Sequence, residues 1–178
     1  MIKIVFILSL LLMSCGKSLL KHDKLSLEKK DYFGDELRID GYYYYKYPVN
    51  ESFRYVIYFF YNNGVALHAG AIKEEDILIK EEKFKNGTFY LNVENTKYFW
   101  GVFVVNNQNI KIERWYPSSG GPLRTYIREG TILNDTTFHI TQFYRNQNGE
   151  KTAIESLDEV YHFKKFSPKP DSTNKYTD

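Results

Sequence analysis

The chain is short of the residues that mark disulfide-bonded, metal-binding and membrane-spanning proteins. Cys15 is the only cysteine among 178 residues, so no disulfide can form within the chain. The four histidines are His22, His68, His139 and His162. They lie far apart, with no cysteine or close carboxylate to complete a metal-ligand spacing, so we expect neither a metal nor a cofactor. The most apolar segment is the ten residues 4–13, whereas a transmembrane helix needs about 20.

The sequence also lacks a large excess of charge of one sign, and it lacks a recognisable catalytic motif. The 24 basic and 22 acidic side chains leave a net charge of +2, too small to indicate a nucleic acid or an acidic membrane bound by bulk electrostatics. The glycine-rich stretch 118–121 lies between Pro117 and Pro122 with no helix predicted after it. We interpret it as a hairpin turn rather than a phosphate-binding loop. No nucleophile constellation occurs elsewhere, so we expect a protein that is not an enzyme.

Aromatic residues, in contrast, are abundant. The chain has 16 tyrosines, 13 phenylalanines and two tryptophans, 17% of all residues. Aromatic side chains are enriched in strands, and the scarcity of methionine and alanine points the same way. The composition therefore predicts a β-rich protein.

The first fifteen residues have the pattern of an export signal. Lys3 supplies a positive charge, and the apolar run 4–13 has the length of a signal-peptide core, about 7 to 15 residues. The following Leu-Met-Ser-Cys, ending at Cys15, resembles the lipobox of bacterial lipoproteins. The resemblance implies cleavage after residue 14, acylation of Cys15 and anchoring to a membrane. In such lipoproteins an aspartate directly after the cysteine signals retention at the inner membrane. Gly16 stands at this position instead, so the resemblance implies sorting to the outer membrane, with the protein facing the periplasm.

Two further segments flank the predicted domain. Residues 15–36 are rich in lysine and acidic side chains and are interpreted as a tether between the lipid and the fold. Residues 167–178 contain two prolines and few apolar side chains, so we expect a disordered tail. The folded domain is thus predicted at 37–166.

Between these segments apolar residues recur with period two, separated by Asn, Gly and Asp clusters typical of hairpin turns. Eight runs are predicted as strands: 38–47, 53–62, 65–72, 98–105, 109–116, 123–133, 137–145 and 159–166. Residues 73–97 form an insertion, with a helix predicted at 74–85 because acidic residues begin it, and an extra strand at 88–93. A loop of about a dozen residues with one helical turn is expected before the last strand.

Eight sequential antiparallel strands joined by short turns predict an up-and-down barrel, because closure removes exposed strand edges. The alternative arrangement of the same strands is a two-sheet sandwich. The runs YFWGVFVV (98–105) and IKIERWY (110–116) resemble the central hairpin of the lipocalin-like small barrels found in bacterial lipoproteins. The resemblance implies a closed small barrel, and the interior of an eight-stranded barrel is either filled by side chains or just wide enough to hold one small ligand.

Strand alternation offers candidate ligand-binding side chains for the barrel interior. The candidates are Tyr43, Tyr45, Trp100, Arg114, Tyr126 and Arg128. Tyrosine rings with polar tips suit an amphipathic ligand, and an inward arginine pair could bind a carboxylate or phosphate. The alternatives are a solid aromatic core and an ion-paired outer surface on which Glu113 and Glu129 neutralise the two arginines.

Two functions follow as hypotheses. The first is a membrane-anchored protein that binds a small hydrophobic or amphipathic ligand. The second is a filled barrel that docks onto an envelope protein through exposed tyrosines, Tyr42, Tyr44 and Tyr58, or through the insertion 73–97.

Overall fold

The computed structural model describes residues 21–177, so the predicted signal peptide and the acylation at Cys15 lie outside the described residues. The fold is a closed barrel of eight antiparallel strands, each paired with its neighbour in sequence, and β1 pairs with β8. This confirms the predicted barrel and excludes the sandwich. The strands are β1 Gly41–Val49, β2 Ser52–Phe60, β3 Val65–Lys73, β4 Trp100–Asn106, β5 Asn109–Tyr116, β6 Arg124–Asn134, β7 Thr137–Gln147 and β8 Glu150–Lys165.

Two-residue turns connect four of the hairpins. The β1–β2, β4–β5 and β7–β8 turns each begin with an asparagine in the left-handed region, namely Asn50, Asn107 and Asn148. Asparagine and glycine adopt a positive φ at low cost, and two-residue hairpins require it. These turns explain why consecutive strands pair.

The insertion between β3 and β4 is helical throughout its regular parts. It contains α1 Ile77–Lys85 and α2 Thr88–Val93, with 3₁₀ turns at Glu74–Asp76 and Lys97–Phe99. The extra strand predicted at 88–93 is therefore wrong. Phe89 and Val93 are buried, whereas Leu91 between them is exposed, although all three would share one face of a strand. Within residues 21–177 no helix has the length and apolar character needed to cross a membrane.

The last strand is much longer than expected. β8 begins at Glu150, directly after the Asn148-Gly149 turn, so the predicted loop and helical turn before residue 159 are wrong. The early half of β8 is largely exposed and rich in polar side chains. This half is held by backbone pairing with β7. Because its side chains are polar, the sequence shows no hydrophobic alternation that would predict a strand there.

The N-terminal residues close one end of the barrel. Tyr32 and Leu37 are buried with the interior side chains, and the Tyr32 ring lies 5.5 Å from that of Phe103. The Tyr32 hydroxyl accepts a hydrogen bond from the Leu37 amide at 2.7 Å. We call this the closed end. It carries the β2–β3, β4–β5 and β6–β7 turns.

A second apolar cluster covers the outside of the sheet. Phe59, whose side chain points out of the barrel, meets Phe84 of α1 edge to face at 5.0 Å. The Trp100 indole lies in the same cluster and donates a hydrogen bond to the Val93 carbonyl at 3.1 Å. Because the insertion buries this outer face, β2 and β4 are apolar on both sides, and period two alone does not reveal which side faces inward.

Residues 22–28 form a strap along β5 and β6 rather than a free tether. The Glu113 carboxylate accepts hydrogen bonds from the Ser26 and Leu27 amides, both at 2.7 Å. Asp23 accepts one from Arg124 at 2.8 Å. The prediction of a tether through 36 is therefore wrong for this stretch, because buried polar side chains on the outer face of the barrel pair with the strap backbone.

The C-terminal residues also lie against the barrel, contrary to the predicted disorder. The Lys169 ammonium donates hydrogen bonds to the Ile39 and Phe60 carbonyls at 2.7 and 2.9 Å. Tyr61 donates one to the Pro170 carbonyl at 2.8 Å. A few polar and aromatic contacts hold this tail, although its composition is that of a disordered segment.

Candidate ligand site at the barrel mouth

The end opposite the closed end, which we call the mouth, is polar and partly open. It carries the β1–β2 and β7–β8 turns, the loop between β5 and β6, and the junctions with the helical insertion. Its inward side chains include Arg114 on β5 and Arg128 on β6, with Glu159 on β8 opposite them. The Arg128 and Glu159 side chains retain exposures of 16% and 15%. Charged groups therefore occupy one half of an interior that is aromatic and aliphatic in the other half.

Arg114 is held by three protein groups. Its Nε donates to the Tyr58 hydroxyl at 3.1 Å, and its Nη1 donates to the Tyr98 and Trp115 carbonyls, both at 3.2 Å. Its guanidinium carbon lies 3.8 Å from the centre of the Tyr116 ring, a cation–π contact. The cross-strand partner of Arg114 is Gly101, where an added Cβ would meet the Glu113 carbonyl oxygen at 2.2 Å and the Arg114 Cβ at 2.7 Å. The glycine thus allows β5 to approach β4 closely at Arg114.

Arg128 is tied to the same tyrosine. Its Nε donates to the Tyr116 hydroxyl at 3.1 Å, and its Nη1 forms an ion pair with the Glu159 carboxylate. Glu159 also accepts a hydrogen bond from the Tyr161 hydroxyl at 3.1 Å. Both guanidiniums therefore contact Tyr116, one over its ring and one at its oxygen.

The electrostatics of the mouth favour negative charge. Burial lowers the pKa of His68 well below its ordinary value, and the charges of Arg114 and Arg128 lower it further. Burial alone would raise the pKa of Tyr116, but the two guanidiniums outweigh it, so this pKa lies below its ordinary value. With His68 neutral, two cations face one carboxylate, that of Glu159, and the mouth carries an excess positive charge.

Both arginines keep unused donors. Among the hydrogen bonds of residues 21–177, neither Nη2 of Arg114 nor Nη2 of Arg128 has a protein acceptor. Within the same residues, no side-chain nitrogen or oxygen that is sealed from solvent lacks a partner. The two Nη2 atoms are therefore not sealed from solvent.

Aromatic rings surround the charged groups. Tyr126 and Phe143 stack face to face, with ring centres 4.6 Å apart and planes within 3°. The Tyr116 ring meets both edgewise, at 5.3 and 5.2 Å. Tyr45 lies above Tyr161 at 5.7 Å on the other side of the mouth. Flat rings around a cationic centre offer contact area to the apolar part of a ligand.

The structure brings four of the six predicted site residues to the mouth. Tyr45, Arg114, Tyr126 and Arg128 are there. Tyr43 faces inward but lies in the filled part, with its hydroxyl donating to the Asp135 carbonyl at 2.8 Å. Trp100 points outward under the insertion, so its assignment to the interior is wrong. The helices that cover it make the outer face of β4 as apolar as the inner one.

Several mouth residues are missing from the sequence prediction. They are Tyr58, His68, Tyr116, Phe143, Glu159 and Tyr161. Tyr116 has the same parity as Arg114 on β5, so simple alternation could have identified it. Glu159 and Tyr161 lie on the last strand. Finding them would have required a search of the other strands for an acidic partner of the inward arginines.

The carboxylates expected to pair with the arginines face outward instead. Glu113 is fully buried beneath the strap, and burial raises its pKa although the Leu27 and Ser26 hydrogen bonds act against this. Glu129 accepts hydrogen bonds from Tyr144 at 2.6 Å and Lys151 at 2.8 Å. Since both face away from the arginines, the ion-paired outer surface is wrong for Arg114 and Arg128.

The outer surface carries a separate cavity. A groove of about 550 Å³ runs between the strap and the tail, with Leu25, Lys97 and Trp115 among its lining residues.

Within residues 21–177 no group of three or more His, Cys, Asp or Glu side chains is placed to hold a metal ion. Two of the tyrosines expected on an exposed docking surface, Tyr42 and Tyr58, are buried.

In comparisons with protein-family models, with curated proteins and with solved structures, no match to this chain was found.

Proposed function

We propose that this protein is a lipid-anchored binding protein of the bacterial outer membrane, which holds a small hydrophobic or amphipathic ligand in the mouth of a lipocalin-like barrel and catalyses no reaction. The observation that carries the proposal is the contrast within the interior. Aromatic rings fill the closed half, whereas the mouth combines stacked rings with two arginines that keep free donors. Small-ligand sites combine such apolar area with a few polar groups that fix orientation.

The strap supports the membrane part of this proposal. The Trp115 indole donates a hydrogen bond to the Asp23 carbonyl at 2.7 Å, and the Leu123 amide donates one to the His22 ring at 2.9 Å. Both contacts place the strap next to the β5–β6 loop. Cys15 and Asp23 are eight positions apart in the sequence, a span of at most about 29 Å. Acylation of Cys15 would therefore keep the mouth close to the membrane surface, where amphipathic molecules concentrate.

The second candidate is an interaction module that docks onto an envelope protein. The filled closed half favours it, because rings such as Phe60, Phe103 and Phe138 leave that part of the barrel to packing. The partly exposed insertion, with Leu78, Ile79 and Leu91 at its surface, would then be the contact.

Native mass spectrometry tests the proposal. The chain is expressed with its own signal in a bacterial host, purified from membranes in mild detergent, and compared with a Cys15→Ser variant. We expect acyl mass on the wild type only, and a second, reproducible small-molecule adduct on both proteins that solvent extraction releases. Absence of acyl mass contradicts the anchor. Absence of any adduct, also after incubation with envelope lipid extracts, contradicts the ligand and favours the interaction module.

A further inference from the structure

Two neighbouring arginines at the mouth keep donors that suit an anionic group of a ligand. We propose that Arg114 and Arg128 together bind a single carboxylate or phosphate, so that the ligand is an anionic amphiphile whose acidic group enters first. This inference rests on the proposed ligand-binding function and specifies its ligand.

Charge balance is the first argument. Arg114 donates only to neutral oxygens, those of Tyr58, Tyr98 and Trp115, and is one of the few buried charged side chains. A buried charge without a counter-ion is costly, and charge-assisted hydrogen bonds are about twice as strong as neutral ones. An anion at the mouth would supply the missing counter-ion.

The second argument is the geometry of the donors. The Nε and Nη1 atoms of each arginine are occupied by protein oxygens, and the Nη2 atoms are left for a ligand. Tyr116 contacts both guanidiniums and so fixes their relative position. Because the protein already orders both side chains, little side-chain entropy is lost on binding. Carboxylates and phosphates accept from such planar donors with good geometry.

The packed rings beneath the arginines limit how deep a ligand can enter the barrel. Directly below the arginines, Tyr58 and Tyr161 lie 5.8 Å apart, and Tyr161 stacks on Phe138 at 4.8 Å. These side chains are fully buried, so the barrel beneath the arginines is occupied. The apolar part of the ligand must therefore lie above the arginines, along the rings of Tyr126 and Phe143. This arrangement selects molecules whose apolar part can extend out of the mouth.

The test uses three probes with the same chain: dodecanoate, dodecyl phosphate and dodecanol, each below its micelle concentration. Isothermal titration compares the wild type with Arg114→Gln, Arg128→Gln and the control Arg38→Gln. Arg38 pairs with Asp40 at the opposite end of the barrel. Circular dichroism and thermal unfolding confirm that each variant is folded. If a glutamine variant is unfolded, the lysine variant of the same residue replaces it, which keeps the charge and removes the Nη2 donor.

We expect the wild type to bind both anions at least tenfold more tightly than the alcohol. Arg114→Gln and Arg128→Gln should each weaken anion binding at least tenfold and leave alcohol binding unchanged, and Arg38→Gln should change neither. Equal binding of the acid and the alcohol would overturn the anion site while keeping a ligand-binding mouth. Anion binding that survives both mouth substitutions would also overturn it. Failure of all three probes would count against the proposed function as well.

Discussion

The two ends of one barrel differ in what their side chains do. At the closed end, Phe60 lies 4.6 Å from Phe103 and Tyr43 lies 5.1 Å from Phe138, and Leu37 helps to seal the cluster. At the mouth the same strands carry charged and half-exposed side chains. The comparison shows that packed rings and charged groups occupy different ends of one barrel. On β5, β6 and β8, the inward residues pack near the closed end and include Arg114, Arg128 and Glu159 near the mouth.

Removing a ring should show this separation most strongly. Phe138→Ala at the closed end removes a fully buried ring, and we expect a loss of about 3 to 5 kcal/mol in the free energy of unfolding. Tyr126→Ala at the mouth removes a partly exposed ring and should cost less than half as much. Urea unfolding of both variants provides the measurement. Equal losses would show that the mouth is as much a part of the packed core as the closed end.

The ion pair of the mouth gives the next largest effect. Arg128→Met leaves Glu159 without its partner in a site where its side chain is 15% exposed, and we expect a loss of about 2 to 3 kcal/mol at pH 7. Adding Glu159→Gln should restore most of this loss, since the carboxylate that lost its partner is then replaced by a neutral amide. A double variant that is no more stable than Arg128→Met would contradict the pairing.

The strap supplies a smaller effect that depends on pH. Burial raises the pKa of Glu113 above the ordinary 4.5, so the folded state binds its proton more tightly than the unfolded state does. The stability that this adds is complete below pH 4.5 and is lost as pH rises through the folded pKa. The stability difference between the wild type and Glu113→Gln should therefore shift against the wild type as pH rises over that window. Denaturant unfolding at several pH values measures it, and a difference that does not vary with pH would contradict the buried carboxylate.

The smallest effect is expected for the tail at the closed end. Lys169→Met removes two hydrogen bonds to carbonyls but also a buried charge, so we expect a loss of about 1 kcal/mol or less. Limited proteolysis should nevertheless cut the variant faster after residue 166, because the tail loses its attachment. Unchanged cleavage would show that Tyr61 and the remaining contacts hold the tail without Lys169.

Most of the fold could be predicted from the sequence, because strand alternation and asparagine turns are local signals. The candidate site could be predicted only in part. On β5, Ile110 and Ile112 alternate with polar residues, so period two identifies Arg114 as inward. Tyr126 and Arg128 on β6 are the cross-strand partners of Arg114 and Ile112 and so face the same way. Trp100 lies on a strand that a helical insertion covers, so both of its faces are apolar and the parity argument fails. The strap and tail depend on individual contacts with distant residues, such as Glu113 and Tyr61, which composition does not encode.

The proposed ligand site is the mouth, and not the outer surface. Titration of ¹⁵N-labelled protein with dodecyl phosphate, followed by NMR, distinguishes the two places. Binding at the mouth should give saturable shifts of the Nε–H signals of Arg114 and Arg128 and of the amides around Tyr126, with the closed-end amides unchanged. Shifts concentrated instead on the Trp115 indole, which lines the outer groove, would contradict binding at the mouth.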